Sequence, residues 1–553
     1  MRNILVLALL MAILGLEAQI APNTYYVQFT DKSGSPYSVD NPSAFLTQRA
    51  IQRRIRQNIP VTENDIPVNP QYLSGVAGTG ATMLFPTKWL NGVTIQTTSQ
   101  QVLNAIAALP YVLSIKTLTE EPLKHQIKKK LFDEAMEIFE ADMSAQPKSS
   151  AGLYDYGTGL NQITQINGVP LHANGFRGEG MVIGILDGGF SGANTHIAFD
   201  SIRNNGQILG TIDFTQPGGN VYTESSHGTA VLSTIASNRP GQLIGTAPKA
   251  SFWLLKSEYV LSEHLIEEYN WVSAAEFADS VGVDIINSSL GYIDFDWPQW
   301  NHDYSHMNGQ TAIVTIGADI ASSKGILVVN SAGNSGSNNS FPYIGAPADG
   351  FKVFSIGAVD ASGIRASFSS IGPTYDGRIK PDIMAQGQGT ALTGSNNSFT
   401  FGNGTSFSSP IIAGMSACLW QAKPNFTNMQ IKQAIMQSGS TAGNPSNTFG
   451  YGIPDFVAAA NWLTSIDTGL HDAQMMVIYP NPFDQKVQIR LNELRPLSVS
   501  VYDLFGRQIL HTVLTDINKA YLTTRLESLS AGTYLLLVVG PEHHQQIKLV
   551  KTH

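Results

Sequence analysis

Met181-Val182-Ile183-Gly184-Ile185-Leu186 offers no polar side chain to either face. A strand built from such a run needs cover on both faces, the situation of a parallel sheet flanked by helices. Comparable apolar runs recur at 285–286, 326–329 and 353–356, with a further candidate at 251–255. Helical stretches at 229–237, 271–280 and 311–323 fall between them. This alternation predicts an α/β domain over 151–465, a parallel sheet with helices on both faces. In such sheets the chemistry sits beyond the carboxyl ends of the strands.

The flanks read differently. Residues 19–150 hold strand patterns at 25–29, 92–95 and 111–115 and a helix pattern at 100–108, which predicts a small α+β unit. The charged stretch 124–143 reads as a solvated helix or linker, and the Pro/Ser/Gly joint at 146–152 as a boundary open to cutting. Over 474–553, short strands separated by Pro480-Asn481-Pro482, Gly506-Arg507 and Ala531-Gly532 predict an all-β sandwich.

A chain of 553 residues has room for three or four domains at about 150 residues each. Arg2, the apolar run 4–16 and the small residue Ala18 form a secretory signal peptide over 1–18. No later stretch is long and apolar enough to span a membrane. The net charge of −9 argues against nucleic acid, which needs a concentrated basic face. A single cysteine, Cys418, leaves an exported chain without an internal disulfide, so stability must come from a large core. Cys418 lies among Ala413, Met415, Ala417 and Leu419 and reads as a core side chain.

Polar residues stand at the element boundaries. Asp187 ends the run 181–186, His227 opens a helix in Ser225-Ser226-His227-Gly228-Thr229, and Ser406 opens another in Phe401-Gly402-Asn403-Gly404-Thr405-Ser406. Singly, each has a plain structural role as turn residue or helix cap. Together they form a set that acyl transfer uses. A serine hydroxyl needs an adjacent base, a histidine supplies it, and a carboxylate fixes the imidazole tautomer. Asn334, in Ser331-Ala332-Gly333-Asn334-Ser335-Gly336, offers a side-chain amide for a developing oxyanion.

The order Asp, His, Ser is that of the subtilisin-like serine proteases. GILDGG resembles that family's aspartate motif, HGTAV its histidine motif, GTSFSSP its serine motif and SAGNSG its oxyanion segment. Intervening stretches such as GTAPKASFWLLKSE, DIINSSLG and KPDIMAQG match as well, so the likeness covers about 155–460. It implies a secreted serine endopeptidase that hydrolyses protein or peptide substrates through Asp187, His227, Ser406 and Asn334. It also implies that Ser289, Leu290 and Gly291 pair with an extended substrate by β-augmentation. On this resemblance, 19–150 is a propeptide with its linker, cut off near 146–152. The resemblance requires no cofactor and names no metal ligand; structural calcium is common in such proteases, and no stretch here spells a calcium loop. The C-terminal stretches IYPNPF, VSVYDLFGRQI, LSAGTYLLLVV and IKLVKTH resemble the sorting domain of type IX secretion substrates. That implies the type IX machinery as a partner, and export through the periplasm and outer membrane of a Gram-negative bacterium.

Two features depart from the pattern. Gly188 stands where the family usually has a hydroxyl residue, and the insertion 292–310, with Trp297, Trp300, His302 and His306, has no counterpart. A long loop of this kind is expected to shape the cleft; its histidines lack metal-ligand spacing. Two other readings compete. One is a non-catalytic cell-surface binding protein on the same scaffold. The other is an α/β-hydrolase esterase, which expects Gly-x-Ser-x-Gly and the order Ser, Asp, His.

Overall fold

The computed structural model describes residues 23–119, 138–139, 154–473, 476–479, 483–484, 488–491, 497–503, 506–514, 526, 529–539 and 544–552. The expected signal peptide, the joint at 146–152 and all of 124–143 except Ile138 and Phe139 lie outside the described residues. The chain divides into two compact units, Met1–Ala460 and Asn461–His553, each treated by itself below.

The first unit opens with four antiparallel strands, β1 (Thr24–Phe29), β2 (Thr82–Thr87), β3 (Gly92–Gln96) and β4 (Val112–Thr117), ordered β2-β3-β1-β4. Helices α1 (Gln48–Arg56), α2 (Pro70–Ala77) and α3 (Gln100–Ala107) accompany them. Ser99 caps α3 by accepting from the Val102 N–H. Val27, Phe29, Val93, Ile95 and Ile106 form a core of this part's own. Strand β5 (Ile138–Phe139) comes next, where the charged composition predicts helix or linker.

Seven strands follow: β6 (Val182–Asp187), β7 (Ile208–Asp213), β8 (Ser251–Lys256), β9 (Ile285–Ser288), β10 (Leu327–Ser331), β11 (Phe354–Val359) and β12 (Ile383–Gln386). All pairs are parallel, in the order β12-β11-β10-β9-β6-β8-β7. Every residue of β6 is buried, as its apolar run requires. The helices that matter for the site are α4 (His227–Ala236), α5 (Ile266–Val281), α6 (Ile313–Ser323) and α7 (Thr405–Ala422). Strands β13 (Thr390–Thr393) and β14 (Phe399–Gly402) make an antiparallel hairpin that leads into α7. From β6 the chain adds strands toward β7, then crosses to β9 and builds the other way. Strand order therefore switches between β6 and β9, and a crevice opens there at the carboxyl ends.

The insertion 292–310 is packed. Tyr292, Phe295 and Met307 are buried in the main core, and the Tyr304 ring stacks on Tyr343 at 4.0 Å. His302 Nε2 meets Glu268 Oε1 at 2.5 Å. Burial opposes charge on that ring, but the Glu268 carboxylate outweighs it and raises the His302 pKa. Cys418 is buried in α7, donates to the Thr246 carbonyl at 3.1 Å, and has its thiol pushed well up by burial.

In the second unit, Met476–Tyr479 pairs antiparallel with Gln488–Leu491. A four-stranded antiparallel sheet runs Gln508–Leu514, Leu497–Tyr502, Gly532–Val539, His544–Lys551, burying Val499, Val501, Leu536 and Leu549. Among the described residues no helix is long and apolar enough to cross a membrane.

Within the first unit the small N-terminal part is fastened to the sheet domain by buried charge. Arg53 Nη2 of α1 lies 2.5 Å from Asp279 Oδ1 of α5, and Arg54 Nη2 lies 2.9 Å from Asp279 Oδ2 and 2.7 Å from Asp65. Lys88 Nζ adds a contact to Asp279 Oδ2 at 3.2 Å, and Lys324 Nζ one to Asp65 at 3.0 Å. Glu276 accepts from the backbone N–H groups of Lys88 (2.6 Å) and Trp89 (2.9 Å). Burial alone would raise the Asp279 pKa; Lys88, Arg53 and Arg54 together hold it well below the usual carboxylate range. Asp279→Ala strands the buried Arg53 guanidinium, leaves Arg54 only Asp65, and is expected to destabilise the uncut chain by about 3–5 kcal/mol in denaturant unfolding. A loss under about 1 kcal/mol would contradict this account. Burial pushes Glu276 the other way, up to about 7, against Lys88 and the two N–H donors. Because that value exceeds the ordinary 4.5, the contribution is full below 4.5 and is lost as pH rises through 7. Melting temperatures of the uncut chain should therefore fall between pH 5 and 8, and Glu276→Gln should flatten that fall; an identical slope in the variant would contradict it.

Candidate active site

The four polar residues singled out at element boundaries all come to the crevice end of the sheet. Asp187 is the last residue of β6, and His227 is the first of α4. Asn334 lies just beyond β10, and Ser406 is in the first turn of α7. The side chains of Asp187, His227 and Ser406 are buried or nearly so.

His227 Nδ1 lies 2.8 Å from Asp187 Oδ1 and 3.0 Å from Oδ2. A carboxylate only accepts, so Nδ1 carries the hydrogen, and in the neutral ring the lone pair is on Nε2. Asp187 Oδ1 also accepts from the Gly188 N–H at 2.8 Å, so backbone supplies support where Gly188 lacks a hydroxyl.

Glycine makes this pairing sterically feasible. A Cβ on Gly228 would fall 2.5 Å from the Gly189 carbonyl oxygen and 2.8 Å from the Phe190 ring. The start of α4 therefore sits directly on the turn after β6, where the Gly228 N–H donates to Gly189 O at 3.0 Å. Gly189 itself has φ +149°, and a Cβ there would lie 2.9 Å from the Thr223 carbonyl oxygen.

Ser406 follows Gly404, another glycine at φ +149°. The Ser406 hydroxyl reaches toward the Ser289 carbonyl at 3.5 Å, and Ser289 Oγ donates to the Ser406 carbonyl at 2.8 Å. The next residue, Phe407, places its ring 6.1 Å from that of His227, so α7 and α4 meet at the site.

Asn334 Oδ1 accepts from both Thr405 N and Thr405 Oγ1 at 2.9 Å. Two donors on the oxygen fix the amide orientation. Asn334 Nδ2 is buried and, among the described residues, has no hydrogen-bond partner. A Cβ built on Gly404 would lie 3.7 Å from Ser406 N and 3.8 Å from Asn334 Nδ2, so two N–H donors flank one point beside the serine.

Leu290 and Gly291 continue from β9 past Ser289 without joining a strand. Asn330 Nδ2 donates to the Leu290 carbonyl at 3.1 Å. Among the described residues the Gly291 N–H and carbonyl have no hydrogen-bond partner. Beside the His227 ring a cavity of about 640 Å³ is also lined by Ser191, Thr195, His196, Ser226, Thr393 and Asn397.

Sequence reasoning missed Thr405, which orients the Asn334 amide; the hydroxyl next to Ser406 in Gly-Thr-Ser was the available signal. It also missed Glu258, Glu263 and Glu267, whose carboxylate oxygens lie within 4.8 Å of one another. Glu258 accepts from Tyr292 and Ser257, and Glu267 from the backbone of Tyr259 and His264, so both are engaged by protein donors.

Residues 178–452 match the subtilase family model, 24–132 the peptidase S8 propeptide domain of Bacteroidota, and 477–552 a secretion system C-terminal sorting domain. Subtilisin NAT of Bacillus subtilis subsp. natto is 33% identical over 301 residues, covering 54% of this chain and 70% of its own. The chain belongs to the subtilase family. The subtilisin of Bacillus pumilus is 32% identical over 301 residues, covering 54% of this subtilase and 97% of its own length. A solved structure of the prenylagaramide maturation protease PagA aligns with TM-score 0.42 at 23% identity, covering 54% of this subtilase and 98% of that chain. This subtilase is a serine peptidase made with a propeptide. Its sorting domain marks it for type IX secretion, to the medium or the cell surface.

Gly228→Ala should push α4 off the Gly189 turn and displace the imidazole. A displacement of about 1 Å at a catalytic group costs on the order of 10²-fold. We expect kcat/KM on a peptide substrate to fall by about that factor; wild-type turnover would contradict the steric account.

Proposed function

We propose that this subtilase is a serine endopeptidase in which Asp187, His227 and Ser406 act as a triad and Asn334 as oxyanion donor. The observation that carries the reading is the Asn334 amide, its oxygen held by Thr405 and its Nδ2 buried without an acceptor. A buried unpaired donor is costly unless a ligand uses it, and this one flanks Ser406.

In the mechanism, His227 takes the Ser406 proton as Oγ adds to the scissile carbonyl carbon. Asp187 keeps hydrogen on Nδ1 and stabilises the imidazolium without itself becoming protonated. The carbonyl oxygen becomes an anion between Asn334 Nδ2 and the Ser406 N–H, at the N-terminus of α7, where the helix dipole favours negative charge. The C–N bond then breaks, and the leaving amine receives its proton from His227. Water, activated by the same imidazole, releases the acyl group as a carboxylic acid and regenerates Ser406. The unpaired backbone groups of Gly291 suit an extended peptide, held by main-chain bonds.

Ser406→Ala is expected to abolish peptide hydrolysis and labelling by a fluorophosphonate; a labelled, active variant removes the mechanism. Asn334→Ala should lower kcat by about 10²–10³-fold with KM nearly unchanged. That magnitude comes from a subtilisin, a relative of this chain. An unchanged kcat would dismiss the oxyanion role.

A further inference from the structure

Helix α7 carries a proline, Pro410, four residues after Ser406. A proline inside a helix removes the N–H that would reach the carbonyl four residues back, and its ring crowds that carbonyl. Here the carbonyl belongs to Ser406 itself. The proposed nucleophile therefore lacks the helix bond that would hold its backbone. Ser406 is buried, where an unpaired carbonyl is costly.

A donor comes from outside the helix. Ser289 Oγ donates to the Ser406 carbonyl at 2.8 Å. Two more groups stand behind it. Asn287 Nδ2, on β9, donates to Ser289 Oγ at 3.2 Å, and Ser409 Oγ, on α7, donates to Asn287 Oδ1 at 2.9 Å. Asn287, Ser289, Ser406 and Ser409 are each no more than 1% exposed. The direction of this relay is forced from its end. A carbonyl only accepts, so the Ser289 hydroxyl gives its hydrogen to Ser406 and takes one from Asn287 Nδ2. The Asn287 oxygen is then left for Ser409. A reversed Asn287 amide would draw the Ser289 hydrogen to itself and leave the Ser406 carbonyl bare. Ser289 also touches the reacting atom, since its own carbonyl faces Ser406 Oγ at 3.5 Å.

We propose that Ser289, Asn287 and Ser409 are positioning residues for Ser406. Pro410 releases the serine carbonyl from the helix ladder, and the relay Ser409–Asn287–Ser289 ties it to β9 instead. Strand β9 lies next to β6, which ends in Asp187. The nucleophile is thus set by the same sheet that carries the carboxylate, and not by α7 alone. This rests on the catalytic reading above, because it concerns where Ser406 Oγ stands relative to His227.

The test is a double-mutant cycle in the full chain. It reads kcat and KM on a peptide substrate, with active sites counted by fluorophosphonate labelling and folding followed by melting temperature. Ser289→Ala removes the donor and is expected to lower kcat by about 10²-fold, the cost of a displacement near 1 Å, with KM within about twofold of wild type. Pro410→Ala in that background returns an N–H to the carbonyl and should recover at least about tenfold of the lost kcat. A residue that only fills space would not be rescued in this way. Asn287→Ala lets the Ser289 hydroxyl turn away and should lower kcat by about tenfold, again with KM nearly unchanged. Wild-type kcat in Ser289→Ala, a loss that Pro410→Ala does not relieve, or a loss carried wholly by KM overturns the proposal. If Ser289→Ala does not fold, Asn287→Ala decides, and an unchanged kcat there overturns it. In each of these cases labelling of wild-type Ser406 leaves the catalytic reading intact. Wild-type protein that takes no label at Ser406 overturns the catalytic reading, and the positioning proposal with it.

Discussion

A buried imidazole held by a buried carboxylate is the interaction on which the rest of the site depends. Asp187 and His227 come from different elements, the end of β6 and the start of α4, and meet at 2.8 Å. Their meeting requires two backbones to touch, which Gly189 and Gly228 allow because neither carries a Cβ. The sheet brings the other groups to the same place. Strands β6, β9 and β10 are neighbours, so Asp187, Ser289 and Asn334 emerge side by side at the switch in strand order. Helix α7 then brings Ser406 and Thr405 against them.

The second constraint is the buried charge between the propeptide part and α5. Removing two guanidiniums and a carboxylate from water is costly, and such a network is stable only while complete. It is a register device more than a source of cohesion, because Arg53 finds the Asp279 carboxylate only in one seating. With one buried, unpaired cysteine, the chain relies on this network and its apolar core rather than on covalent ties.

The parallel sheet was legible because residues apolar on both faces have few other destinations. Strand β7 was missed because its burial alternates, as on an edge. Helix α1 (QRAIQRRIR) buries Arg53 and Arg54 and exposes Ile55, the reverse of what an apolar pattern implies; Arg53 meets Asp279, 226 positions away, which no local pattern reveals. Strand β5 lies in a charged stretch and exists through pairing with β14. At the site, the motifs marked the residues, but not the orientation of the Asn334 amide, which Thr405 sets from 71 positions further on. The packing of Tyr292, Phe295 and Met307 from the insertion 292–310 into the core was not legible in its sequence, because their partners lie far along the chain.

A crystal structure of the mature chain with a peptide boronate tests the central claim most directly, because a tetrahedral boron mimics the proposed adduct. The account predicts a covalent bond from Ser406 Oγ to boron, His227 still paired with Asp187, and one boronate oxygen about 2.7–3.1 Å from Asn334 Nδ2. Boron bonded to another residue, or an oxygen turned away from Asn334 with the amide still pointing at empty space, would contradict it.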